Sequence, residues 1–282
     1  MQDLKAIVKR IDQLPTLPAI ASRIMQIVED PDSSAKDLER IISNDVSLAS
    51  RILRLVNSAY FGVSRRVTDL GQAVAMAGFA LVKSVAMGIS IFDTLGFGTE
   101  SRKYRREAFW KHCVATGAVA RFMARERRDP DPEGAFTVGL LHDVGKLVLD
   151  RHANFEFQRI LATTELDAVS FRDAEKKVLG DVGHAEIGGW LLEQWRFPAE
   201  IAVPVANHHS YARAREHRRL ALVCACADAL VIERGIGYGG GGVAPALPQG
   251  TWEELGIRKE ALATFLDGVE KDSTLMELFG GS

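Results

Sequence analysis

No stretch of this 282-residue chain alternates apolar and polar residues for long enough to make a convincing strand. Apolar residues instead recur three and four apart, the spacing that lines up one face of a helix. Ile20, Ile24, Ile27 and Val28 form such a face. Pro18 stands near its start, where a missing N–H is harmless, and Asp30-Pro31-Asp32 reads as its end. Ser34 and Asp37 have capping-box spacing and predict the start of a helix carrying Leu38, Ile41 and Ile42. Leu48, Ile52, Leu53, Val56 and Ala59 predict the next, with Gly62 as its stop. Residues 70–92 make a third apolar run, broken by Gly71, Gly78 and Gly88, small residues that suit close helix–helix contact. The expected fold class is all-α, a helical bundle of two packed lobes.

The segment DTLGFGTES, residues 93–101, reads as a connector. It divides a lobe of residues 1–98 from a second lobe of residues 99–282. Helices are expected in the second lobe at 103–128, 132–150, 153–166, 171–180, 184–195, 198–209 and 215–234. Ser170 with Asp173 is another capping-box start. Residues 235–250, GIGYGGGGVAPALPQG, are expected to form a mobile loop. Short helices at 251–256, 258–268 and 272–279 close the chain, and no internal repeat is visible.

Composition narrows the function classes. Hydrophobic residues at 47% suffice for a core. The balance of 35 Lys+Arg against 37 Asp+Glu gives a net charge of −2, which argues against a general nucleic-acid binder. The basic stretches 102–106, 125–128 and 213–219 read as solvated faces. No apolar run reaches the roughly 18 residues that span a bilayer. The N-terminus lacks the charged and apolar regions of a secretory signal. Three cysteines without a CxxC argue against a disulfide framework. The expected compartment is the cytoplasm.

Chemistry concentrates in one constellation. His142 and Asp143 are adjacent in GLLHDVGKLVLD, residues 139–150, among Leu140, Leu141, Val144, Leu147 and Val148. A carboxylate in such a setting is costly unless paired or bound to a metal. Lys146 follows Asp143 by three residues and shares roughly its face. His112 lies in an amphipathic helix, and His184 opens one after Gly183. His208 and His209 close PVANHHSYA, and Asp228 sits in LVCACADALVIE with no cation until Arg234. Blander readings stand beside these. As lesser alternatives, His142–Asp143 reads as a buried hydrogen-bonded pair, Asp228 as an arginine-paired carboxylate, and His112 as a histidine packed beside Trp110. His152 and His217 read as surface histidines, and Cys224 and Cys226 as core thiols.

The order His, His-Asp, His, His-His, Asp on successive helices resembles the HD superfamily of metal-dependent phosphohydrolases. Within it, residues 14–62, from LPTLP through IISNDVSLASRILRLVNSAYFG, resemble the opening of the HDOD family, the HD-related output domain. WRFPAEIAVPVANHH, residues 195–209, fits as well, so the resemblance covers residues 14–235. It implies a bacterial signalling or regulatory module whose partner is another signalling protein or a nucleotide ligand. It also implies that His112, His142, Asp143, His184, His208, His209 and Asp228 bind one or two divalent transition-metal ions. Asp143 would bridge the two. Nitrogen and carboxylate ligands without thiolate suit iron foremost, and manganese, nickel or zinc as well. In the catalytic members such a pair activates water for attack on phosphorus. Lys146 and Asp143 would be the catalytic residues of a phosphohydrolase, with Lys146 stabilising charge on phosphate oxygens. The cyclic-di-GMP phosphodiesterases of the superfamily carry a GYP segment after the double histidine. Here Ser210, Tyr211, Ala212 and Arg213 follow, so that substrate is not expected.

Overall fold

The structure, a computed structural model, describes residues 16–29, 34–58, 60, 61, 63, 65–96 and 104–271. The stops expected at Asp30-Pro31-Asp32 and Gly62, most of the 93–101 connector with the boundary at 98, and the 272–279 helix lie outside the described residues. Among those residues every regular element is a helix, as the absence of period-two patterning requires. None is long and apolar enough to cross a membrane.

The first helices are α1 (Ala19–Glu29), α2 (Ala35–Ser43) and α3 (Val46–Val56). The Ser34 backbone N–H donates to Asp37 at 2.9 Å, one arm of the expected box at the start of α2. Asp45 caps α3 by accepting from the Leu48 N–H at 2.9 Å. Asn57 ends α3 and clamps the chain beyond it. Its amide donates to Leu53 O and Val67 O, both at 2.8 Å, and its Oδ1 accepts from the Val67 N–H at 2.7 Å. The apolar run from residue 70 is two helices, α4 (Leu70–Ala77) and α5 (Phe79–Leu95), because Gly78 turns the chain with φ +97°. Asp93, Thr94 and Leu95, expected in the connector, complete α5 instead. Asp93 is held there by Arg51 of α3 and by Arg106.

The remaining helices are α6 (Arg106–Glu126), α7 (Pro132–Leu141), α8 (Val144–His152), α9 (Asn154–Leu166), α10 (Phe171–Leu179), α11 (His184–Gln194) and α12 (Ala199–Asn207). A 3₁₀ segment, Tyr211–His217, leads into α13 (Arg218–Glu233), and α14 (Thr251–Leu255) and α15 (Lys259–Lys271) follow. The start of α10 is fixed as expected, with the Asp173 N–H donating to Ser170 Oγ at 3.1 Å. Helix α6 is buried along most of its length and packs on α7 and α13, while α11 packs on α12 and α8. The α6–α7 crossing is close because glycines face each other there. A Cβ on Gly139 would lie 2.7 Å from the Gly117 Cα. Helix α5 lies against α7, where Ser84 Oγ and Thr137 Oγ1 share a hydrogen bond of 2.6 Å.

The helix expected over 132–150 is broken at His142–Asp143. Helix α7 ends at Leu141, α8 begins at Val144, and Asp143 has φ −98° and ψ 8°, off the helical values. The His-Asp pair therefore sits at a corner between two buried helices rather than within one. The long helix expected over 215–234 starts at Arg218, after a 3₁₀ segment kinked at Arg215 with φ 50°.

Candidate metal centre

Five segments deliver the centre. The middle of α6 carries His112, and the α7–α8 corner carries His142 and Asp143. The first residue of α11 is His184, the end of α12 carries His208 and His209, and the middle of α13 carries Asp228. Each of the seven residues expected at the site is there. Six are buried to 3% exposure or less, and His209 is half-buried.

Two clusters share one carboxylate. In the first, His112 Nε2 lies 3.3 Å from His142 Nε2, 3.3 Å from Asp143 Oδ2 and 3.2 Å from Asp228 Oδ1. His142 Nε2 lies 3.3 Å from Asp143 Oδ2 and 3.4 Å from Asp228 Oδ1. In the second, His184 Nε2 lies 3.2 Å from His208 Nε2, 3.1 Å from His209 Nε2 and 3.2 Å from Asp143 Oδ1. The two oxygens of Asp143 thus point into different clusters.

The hydrogen bonds behind the rings decide what the front presents. His142 Nδ1 lies 2.7 Å from Gly139 O, and His208 Nδ1 lies 2.7 Å from Val205 O. A backbone carbonyl only accepts, so both Nδ1 atoms carry hydrogen, and it is Nε2 of each ring, a bare lone pair whenever the ring is neutral, that faces a cluster. The Glu175 carboxylate fixes His184 in the same way at 2.8 Å and also accepts from the His184 backbone N–H at 2.7 Å. At His184 and His208, whose Nδ1 atoms both face acceptors, the neutral rings would set Nε2 lone pairs 3.2 Å apart, and these repel unless a cation lies between them. Asp143 Oδ1 and Asp228 Oδ1 are buried without a hydrogen-bond partner among the described residues. His112, His142 and Asp228 can hold one metal ion, and His184, His208 and His209 another. The donors fit divalent transition metals.

The protonation tendencies without metal point the same way. Burial pulls the His142 imidazole down, but Asp143 and Asp228 more than offset it, and its pKa rises to about 10. Burial works against His184 too, and Glu175 overrides it, so its pKa is raised. His208 and His209 are pushed well below the usual value by burial and by repulsion from neighbouring imidazoles. Burial disfavours the Asp143 charge, yet His142 and Lys146 hold its carboxyl well below the usual range. The cluster attracts positive charge, taken up as protons at His142 and His184, while the neutral His208 and His209 imidazoles are ready to ligate a metal ion.

Lys146, one turn into α8, donates to Asp143 Oδ2 at 2.7 Å. It also donates to Gly239 O at 2.5 Å, and its ammonium stands 4.4 Å from the Phe171 ring centroid. That second bond revises the expectation of a mobile loop at 235–250. The loop is a strap laid over the centre. The Tyr238 N–H donates to Ala108 O at 2.8 Å, and a Cβ on Gly239 would lie 2.7 Å from His112 Nε2. Glycine is required because any side chain there would enter the imidazole. On the other side, His208 and His209 open on a cavity of about 550 Å³. Arg213, Arg218, Tyr211 and the Pro245–Pro248 wall line it.

Other expectations divide. Cys224 and Cys226 are buried core thiols as read. Cys113 is buried as well, with its sulfur within 4.8 Å of His142 and Asp143 donor atoms. Burial, then the Asp143 charge, pushes that thiol well up, so it stays neutral. His152 and His217 are half-buried rather than surface residues. Ion pairs occupy much of the basic stretches, including Arg125–Glu133, Arg127–Asp129 and Arg218–Glu254. Glu175, Phe171 and Gly239 were not singled out in the sequence. Glu175 stands in FRDAEKKVL among other charges, and nothing local marks it as the one that is buried.

The HDOD domain family matches residues 14–211. An HDOD domain protein of unknown function from Geobacter sulfurreducens shares the fold with a TM-score of 0.76 at 22% identity. The match covers 98% of this chain and 99% of that one. A Shewanella amazonensis SB2B structure, described as a "putative phosphohydrolase", reaches a TM-score of 0.75 at 21% identity, with 98% of each chain covered. By sequence, an uncharacterized protein of Treponema pallidum (strain Nichols) is 31% identical over 216 residues, 75% of this chain. The matched part spans 40% of that relative's length.

Proposed function

The chain belongs to the HDOD domain family, and on that premise we propose that it is a signalling module built around a retained dinuclear metal centre and working through interaction. The observation that carries this reading is the commitment of Lys146. Its ammonium, the cation best placed to meet a phosphate oxygen, is held by Asp143, by Gly239 O and by the face of Phe171. With the strap across His112, the centre rests closed on that side.

His112, His142, Asp143 Oδ2 and Asp228 would hold one ion, and His184, His208, His209 and Asp143 Oδ1 the other. Iron is the first expectation for this donor set, with manganese, nickel and zinc behind it. Bound divalent ions supply Lewis acidity toward a phosphoryl oxygen. The chain's own part is to fix the rings through Gly139, Val205 and Glu175 and to keep the carboxylates ionised. The partner would be another signalling protein or a nucleotide. In the first case the metals serve chiefly to lock five segments into one shape.

One feature favours a second reading, a phosphohydrolase acting on a nucleotide. The cavity beside His208 and His209 offers the Arg213 and Arg218 side chains and a proline-flanked apolar wall. Elemental analysis of the purified chain and a steady-state assay with bis-p-nitrophenyl phosphate and cyclic dinucleotides separate the readings. The signalling reading expects stoichiometric metal and no steady turnover. Sustained hydrolysis by the metal-loaded chain overturns it in favour of the enzyme.

A further inference from the structure

A second cavity, of about 610 Å³, lies away from the metal centre between α1, α5, the start of α7 and the α11–α12 connection. Its size falls among small-molecule sites, roughly 300–1,000 Å³. Apolar walls come from Met25, Met87, Phe197 and Ile201, the last three 8% exposed or less. Methionines on two helices make a surface that adapts to flexible chains. The Ser84–Thr137 hydroxyl pair, also buried, adds a small polar patch to the lining.

Two cations line this cavity without fixed partners. The side chain of Lys83, half-buried on α5, makes no ion pair or hydrogen bond among the described residues, and the charge of Asp131 acts on it from a distance. Burial pulls its ammonium pKa down and Asp131 offsets this only in part, the sign of a charge held partly out of water. The exposed side chain of Arg196, at the rim, likewise makes no ion pair or hydrogen bond among the described residues. This residue occupies the left-handed position that ends α11, with φ +60°. The Phe197 N–H donates to Leu192 O at 2.9 Å and the Arg196 N–H to Glu193 O at 2.9 Å, a pattern in which glycine is usual. A long cationic side chain there costs about 1 kcal/mol of backbone strain. Such strain is commonly kept where the side chain is used.

Three carboxylates, Asp131, Glu133 and Glu200, also belong to the lining, and the first two are committed. Asp131 caps α7 through the Gly134 N–H at 2.8 Å. Glu133 accepts from Arg121 at 3.0 Å and Arg125 at 3.1 Å. Glu200 is exposed at the first turn of α12. With Glu133 shared by two arginines and Asp131 turned to the start of α7, Lys83 is the half-buried charge of the lining whose head group has no contact partner among the described residues, next to a buried apolar wall.

We propose that this cavity binds an anionic amphiphile of the size of a medium-chain carboxylate, with its head on Lys83 at the Arg196 rim and its tail along Met25, Met87, Phe197 and Ile201. The site has a consequence for the metal centre. Helices α7 and α12 both start at this cavity, and they end at His142–Asp143 and His208–His209. At 1.5 Å per residue the two sites are roughly 15 Å apart along each helix. An amphiphile in the cavity bears on both helices that deliver metal-facing residues.

Isothermal titration of the full metal-loaded chain with decanoate, below its micelle concentration, tests the proposal. The expected result is saturable binding at one site per chain, at least tenfold weaker for decanol, which keeps the tail and lacks the charge. Lys83→Met should weaken decanoate at least tenfold, and Met87→Trp should abolish it by filling the cavity. Both variants should keep the wild-type metal content and circular dichroism. No saturable binding by the wild type overturns the proposal. So does equal affinity for decanol, or unchanged affinity in Lys83→Met. Should Met87→Trp fail to fold, decanol and Lys83→Met still decide.

Discussion

The ammonium of Lys146 lies 2.5 Å from the backbone oxygen of Gly239, 93 residues further along the chain. This bond ties the first turn of α8 to the glycine strap, so one side chain serves both the metal-facing carboxylate and the cover over it.

Replacing Lys146 by Ala separates the two functional readings. Asp143 keeps both oxygens, so metal content should stay at the wild-type level. The strap loses one of its anchors, and the Tyr238–Gly242 amides should exchange hydrogen faster. As a signalling module, the variant should bind its partner nearly as the wild type does. As an enzyme, it should lose turnover by roughly 10²–10³, the usual loss for one charge-stabilising donor. Metal analysis, hydrogen exchange and phosphodiesterase assay read the three quantities on one preparation.

Gly239→Ala probes the strap from the other side. The added methyl would stand 2.7 Å from His112 Nε2 and 2.9 Å from Cδ2, so backbone or ring must move. Overpacking of this kind costs about 1–3 kcal/mol. The expected outcome is a strap lifted from the centre and faster metal loss to a chelator such as EDTA. Gly235→Ala is the control, because nothing lies within 4 Å of its added methyl, although φ +65° strains it. Equal stripping rates for wild type and Gly239→Ala would show that the strap does not guard the centre.

Asp143→Ala should remove the metal altogether. It deletes the one carboxylate whose oxygens face both clusters, and it leaves the imidazoles to compete with water. A ligand bound only to the native state stabilises it by mass action, about 2.7 kcal/mol at a hundredfold excess over Kd. The melting temperature should therefore fall below that of the metal-loaded wild type. Stripping the wild type with chelator isolates the metal's share. The remaining gap reports Lys146, whose buried ammonium has lost its carboxylate partner.

How much of this was legible in the sequence follows from what sequence patterns encode. Period-3.6 faces such as Ile24–Ile27–Val28 are local, so the helices could be read. The His and Asp set was legible because ionisable residues stood out against apolar helices, as Asp228 does in LVCACADALVIE. The corner at His142–Asp143 was hidden, since Leu140, Leu141, Val144, Leu147 and Val148 continue the apolar pattern across it without proline or glycine at the break. Residues 235–250 read as mobile because glycine-rich sequence encodes no conformation of its own. Ala108, Lys146 and Phe171 fix the strap, and all are remote in sequence. Glu175 was missed for the same reason, because burial by tertiary packing has no local mark.

Glu175 also supplies the sharpest test of how the centre is held. Its two oxygens accept from the His184 ring and the His184 backbone N–H, so it sets both the tautomer and the position of the first residue of α11. Glu175→Ala leaves a ring N–H and a backbone N–H buried without partners, at about 1–3 kcal/mol each. Glu175→Gln keeps one acceptor oxygen and the side-chain shape. It puts an amide that can donate where the second oxygen stood, and it removes the charge behind the imidazole. A partner of this kind contributes roughly 10–100-fold to metal affinity. The expected order of metal affinity is wild type, then Glu175→Gln, then Glu175→Ala, with the loss confined to the ion facing His184, His208 and His209. Metal titration followed by competition with a graded chelator should then show one site weakened and the His112 site unchanged. Equal weakening of both sites would mean that Glu175 supports the fold as a whole rather than His184.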